Sequence, residues 1–136
     1  MKILELLTER KKTGNAGEKA AAKFLKKHGY KILTMNYEAL GYEIDIIARN
    51  KEFTVYCEVK TRTLGHENEK EPRPASAVTP EKQRKIISAA KYYNANKNLS
   101  RKIRFDIIEV WVDEKNRPQS ISHLEGAFNR QTSFGA

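Results

Sequence analysis

The stretch GYEIDIIARNKEFTVYCEVKTR, Gly41 to Arg62, decides the fold. It alternates apolar and polar residues on both sides of a short polar interruption, Asn50-Lys51-Glu52, which is the pattern of a β-hairpin. The spacing predicts strands over roughly Glu43–Arg49 and Phe53–Thr61. Strand side chains alternate between faces. Ile44, Ile46 and Ala48 are therefore expected to share an apolar face with Phe53, Val55, Cys57 and Val59. Glu43, Asp45 and Ile47 would share the other face with Tyr56, Glu58 and Lys60. Folding the hairpin about Lys51 and Glu52 sets Glu43 opposite Lys60 and Asp45 opposite Glu58. Two carboxylates directly across from one another destabilise a sheet unless something positive lies between them. A divalent cation with hard oxygen ligands fits that place; Mg²⁺ typically takes one or two protein carboxylates together with water and phosphate oxygens. The competing reading is a charged sheet face turned to solvent.

Upstream of the hairpin, Ala16 to His28 has helical periodicity. Asn15 is suited to cap it, Glu18 lies in its first turn, Lys26, Lys27 and His28 lie in its last, and Gly29 follows. Glu18 shares a stripe with Ala21, Ala22 and Leu25, so it is expected to point inward as a third carboxylate, whereas His28 suits the helix dipole. Residues 1–13 form a basic arm or a short separate helix, closed by Thr13-Gly14-Asn15. Tyr30 to Leu40 predicts a strand, which makes a three-strand meander with the hairpin. Downstream, residues 63–78 form a long polar loop that would overhang the charged face as a substrate clamp; it contains His66, which has no partner at metal-ligand spacing. Thr79 as cap and Pro80 as first helical residue open a second helix to about Asn96. Its apolar face is Gln83, Ile86, Ile87, Ala90 and Tyr93; Lys82, Arg84 and Lys85 lie on a basic face able to contact phosphates. Arg101 to Val112 predicts a crossover strand, with Asp106 and Glu109 at an edge or facing solvent. Gln119 to Leu124 predicts a short last strand, and 129–136 a flexible tail.

The 136 residues suit one domain, over 14–128, with a single core. No apolar run approaches the ~20 residues of a membrane helix, and the N-terminus lacks the pattern of a signal peptide, so no membrane partner and a cytoplasmic location are expected. The single cysteine, Cys57, is expected to be a buried structural thiol. A net charge of +9 favours a polyanionic partner, nucleic acid above all.

The set Glu18, Glu43-Ile44-Asp45 and Glu58-Val59-Lys60 resembles the PD-(D/E)XK nuclease superfamily, and the Asp45-to-Glu58 spacing is similar to that of Holliday-junction resolvases. The blocks GNAGEKAAAKFLKKHGYKIL, EIDIIARN, CEVKTR, TPEKQRKIISAAKYY, RFDIIEV and HLEGAF resemble those of the YraN-like family of uncharacterised predicted endonucleases, over about Gly14 to Phe128. Ile44 replaces the proline of the motif's name, and Tyr42 stands where family members usually carry glycine. The resemblance implies a restriction-endonuclease-like α/β fold: a mixed sheet of antiparallel meander plus crossover strand, flanked by helices. It implies a Mg²⁺- or Mn²⁺-dependent deoxyribonuclease acting on branched or structured DNA, possible as a homodimer. Asp45, Glu58, the Val59 backbone carbonyl and Glu18 would hold metal. Lys60 would orient water or stabilise charge on phosphate oxygen, and Glu43 would hold Lys60. Arg62, Lys82, Gln83, Arg84 and Lys85 would contact nucleic acid. The alternative is a nuclease-like module that binds nucleic acid without cutting it; a basic scaffold for another protein is a more remote third.

Overall fold

The computed structural model describes residues 2–65, 78–97 and 102–129. Their elements follow in the order α1 (Ile3–Lys27), β1 (Lys31–Ala39), β2 (Tyr42–Arg49), β3 (Phe53–Thr63), α2 (Pro80–Lys97), β4 (Lys102–Val112) and β5 (Pro118–Phe128). The strands form one open sheet in the order β1-β2-β3-β4-β5. It is antiparallel except for the parallel β3–β4 pair, which the α2 crossover makes possible. This mixed sheet flanked by helices is consistent with a restriction-endonuclease-like fold.

The two faces bury separate clusters. Ala21, Ala22 and Leu25 of α1 pack with Ile46, Ala48, Val55, Cys57, Ile108 and Val110. On the other face, Ile86, Ile87, Ala90 and Tyr93 of α2 pack with Ile44, Ile47, Tyr56 and Phe105. Aromatic rings run through this second layer: Tyr37 edge-on to Tyr93, Tyr93 to Tyr56, and Phe105 stacked on Phe128 at 5.2 Å. Cys57 lies in the first layer, and burial pushes its thiol pKa up, as a structural role requires. Helix α2 begins as expected: the Lys82 N–H donates to Thr79 Oγ1 at 3.2 Å, and Pro80 takes the first helical position.

Three expectations are corrected. Helix α1 runs unbroken through Thr13-Gly14-Asn15, so Asn15 caps nothing. Gly14 costs a helix only about 1 kcal/mol. Thr13 Oγ1 lies 3.0 Å from the Glu9 carbonyl and 2.8 Å from Asn116 Oδ1, tying mid-helix to the β4–β5 turn. Asp106 and Glu109 are buried, not at an edge, because β5 covers the outer side of β4. Arg104 donates twice to Asp106, at 2.8 and 2.7 Å, His123 Nε2 lies 2.7 Å away, and the Gly126 N–H donates at 3.0 Å. Burial opposes the charged form of Asp106, yet these donors hold its pKa below the usual value. Glu109 accepts from Arg62 Nε at 2.5 Å. The last strand is also longer than expected and takes in Phe128, buried against Phe105. His66 and almost all of the 63–78 loop lie outside the described residues, as does the tail beyond Asn129.

Helix α1 crosses β3 at very close range. A methyl group on Gly17 would come within 1.8 Å of Thr61 Oγ1, so only glycine allows this approach, which carries the next residue, Glu18, to the sheet. Gly17→Ala is expected to lower the unfolding free energy by about 1–3 kcal/mol, measured by urea denaturation. Thr61→Ala should recover part of that loss by removing the nearest atom.

Candidate active site

The β2–β3 hairpin has the register expected from the sequence, from Arg49↔Thr54 to Ile46↔Cys57, and the ladder stops there. One residue further, where Asp45 would oppose Glu58, the Asp45 side chain enters the gap instead. Its Oδ2 accepts from the Val59 N–H at 2.7 Å. The carboxylate thus takes over the acceptor role of a strand carbonyl. Face alternation also fails here: Ile44 packs on the α2 side and Ile46 on the α1 side. The expected common face of Ile44, Ile46 and Ala48 is corrected accordingly. The other face, expected to be charged, is covered by α2 over Ile47 and Tyr56; only its end remains polar.

At that end Glu18, Glu43 and Asp45 each offer a carboxylate oxygen, all within 4.8 Å of one another. Asn36 stands across from Asp45, between the pairs Met35↔Ile46 and Tyr37↔Ile44. Its Nδ2 donates to both Glu18 oxygens at 3.2 Å and to Glu43 Oε1 at 2.9 Å. Glu43 therefore lies with the other carboxylates and not over Lys60, because the strands have parted before Lys60 is reached. Asn36 was missed from the sequence. Its signal was there: an asparagine, unusual in mid-strand and tolerant of left-handed backbone, with φ 53°.

Glu58 stands outside this group. Lys82 Nζ lies 3.0 Å and Lys60 Nζ 3.7 Å from its Oε1, and Tyr42 donates its hydroxyl proton to Oε2 at 3.4 Å. Two lysines pair with Glu58 here, while its charge still acts on Asp45 more strongly than that of Glu18. Lys82, expected on a DNA-facing surface, is a member of the site. Gln83 is buried, and its Nε2 donates to the Val78 carbonyl at 2.8 Å. Arg62 is paired with Glu109. Arg84 and Lys85 are exposed on α2. A groove of about 650 Å³ between α1 and β3 leads to the site; Arg10, Thr13, Glu18, Lys60 and Arg62 line it.

The charges are strongly coupled. Asp45 is pushed up to about 8, by burial first and then by the charges of Glu58 and Glu18, while the Val59 N–H pulls the other way. Burial lowers the Lys60 pKa against the pull of Glu58, and the neighbouring Lys82 adds to the lowering. Lys82 also loses hydration, but its contact with Glu58 raises its pKa overall. His28 sits at the helix end with Nδ1 2.8 Å from the Phe24 carbonyl, as a C-terminal dipole partner should.

The fold and site define a mixed α/β domain with an acidic cluster and two lysines at the split end of a central hairpin. The chain belongs to the uncharacterised protein family UPF0102, whose profile matches residues 17–110 and so spans Glu18, Glu43, Asp45, Glu58, Lys60 and Lys82. It is similar to a UPF0102 protein of Clostridium acetobutylicum, 43% identical over 122 residues that cover 87% of this chain and 94% of that protein. A UPF0102 protein of Caldanaerobacter subterraneus is 42% identical, covering 88% and 96%. One of Clostridioides difficile is 41% identical, covering 87% and 97%.

The raised Asp45 pKa has a consequence for stability. In the unfolded chain the group titrates near 4. Without metal the folded state is therefore the stronger proton binder, and its stability falls as pH rises from about 4 through 8. In Asp45→Asn the amide oxygen still accepts from Val59 without that penalty. In chelator, its stability advantage over wild type should widen between pH 4 and pH 8, measured from urea midpoints.

Proposed function

We propose that the protein is a metal-dependent nuclease that hydrolyses DNA phosphodiester bonds, with branched or structured DNA as its substrate class. The observation that carries this reading is the convergence of Glu18, Glu43 and Asp45 near Lys60, beside a groove lined by Arg10, Lys60 and Arg62 together with Glu9 and Glu18. The donor set fits Mg²⁺ or Mn²⁺: hard carboxylate oxygens close together, with an Asp45 carboxyl whose raised pKa reflects burial and uncompensated negative charge. Asp45, Glu18 and Glu43 would hold the ion. Glu58 would join if it left Lys82, and the Val59 carbonyl is a further ligand in this reading. The ion would supply Lewis acidity toward a phosphate oxygen and toward water.

The chain's own groups do the remainder. Lys60, half-buried and lining the groove, meets an incoming phosphate and stabilises the negative charge that builds on its oxygens as the P–O bond breaks. Lys82, freed from Glu58, offers a second ammonium from the α2 side. Asp45 is fixed by the Val59 N–H and cannot swing away. Arg10, Arg84 and Lys85 would follow the DNA backbone, giving affinity with little sequence choice.

A second reading, a nucleic-acid-binding module without catalysis, is favoured by one observation: Glu58 is held by Lys82 and Lys60, apart from the other carboxylates. Cleavage of branched and linear DNA distinguishes the two. The nuclease should cut only with Mg²⁺ or Mn²⁺ and stop with chelator. Lys60→Ala should slow it by about 10²–10³-fold, and Asp45→Asn should abolish it, while DNA binding by gel shift persists in both. Tight binding without cleavage under any metal would select the binding module.

A further inference from the structure

We propose that Asn36 is a positioning residue of the cation site: its carboxamide ties Glu18 of α1 to Glu43 of β2 and so assembles the acidic cluster before any ion arrives. This inference rests on the cation reading given above. Glu18 and Glu43 come from different elements, and two carboxylates at this spacing repel unless a donor or cation lies between them. Asn36 supplies that donor, with Nδ2 at 3.2 Å from each Glu18 oxygen and 2.9 Å from Glu43 Oε1.

The backbone makes this possible. Asn36 lies inside β1 but has φ 53°, a left-handed conformation that asparagine accepts more readily than most residues. The strand register is unbroken on either side, Met35↔Ile46 and Tyr37↔Ile44. The left-handed residue thus sits opposite Asp45, where face alternation in β2 also breaks. An asparagine in ordinary β conformation would lie on one face of the strand; here its amide reaches the two carboxylates that flank Asp45 in the cluster. It is the Nδ2 of Asn36, a donor without a free lone pair, that meets the carboxylates, so here Asn36 orients ligands through hydrogen bonds. Such outer partners typically change metal affinity by about 10–100-fold.

Asn36→Gly tests this without straining the chain, since glycine takes positive φ freely. Calorimetric titration with Mn²⁺ alone should show at least about 10-fold weaker binding than wild type. In a Glu43→Gln background, where the repulsion is already relieved, the same substitution should cost much less; that non-additivity is a readout a merely structural role would not produce. Equal Mn²⁺ affinity in wild type and Asn36→Gly, or strictly additive effects, overturns the proposal while leaving the cation reading intact. Wild-type protein that takes up no Mn²⁺ overturns both.

Discussion

The hydrogen bond from the Val59 N–H to Asp45 Oδ2 organises the charged end of the central hairpin. A hairpin normally continues its ladder until the strands end. Here a side chain takes a backbone acceptor's place, and the two strands separate around it. The Val59 N–H is satisfied by the Asp45 carboxyl oxygen at 2.7 Å. Separation then exposes room for side chains from both helices.

The two helices contribute opposite charges. Helix α1 brings Glu18, and can do so because Gly17 lets it lie almost on Thr61. Helix α2 brings Lys82, fixed in height by the Thr79 cap one turn before it. Glu18 thus joins the acidic cluster and Lys82 pairs with Glu58. Asp45 is held by the Val59 N–H yet buried near Glu58 and Glu18, and its raised pKa reflects that burial and those charges. The opposite treatment of Asp106 is instructive. It is also buried, but Arg104, His123 and Gly126 supply donors and keep it ionised. One buried aspartate is compensated by the protein itself and the other is not.

The hairpin, the second helix and the order of elements were legible in the sequence because each rests on a local signal: period-two alternation, a Thr-Pro start, a polar turn. Helix α1 was cut too soon because a Gly-Asn pair reads as a stop, while the Thr13–Asn116 bond that helps hold the helix in place spans the whole chain. Asp106 and Glu109 were placed outside because charge alone says nothing about a strand later added at the flank. Tyr42 was noted only as a departure from glycine, although its hydroxyl reaches Glu58.

By itself the sequence singled out Glu18, Asp45, Glu58 and Lys60, and determined the hairpin register that brings the strands carrying Asp45, Glu58 and Lys60 together, since hydrophobic alternation and turn length fix register locally. Only the tertiary structure decided how they are grouped. Whether Glu43 faces Lys60 or Glu18, and whether Glu58 belongs with Asp45 or with Lys82, depends on where a ladder stops and how closely two helices approach. Those are set by contacts between residues far apart in the chain, Gly17 with Thr61 and Lys82 with Glu58, and no local pattern encodes them.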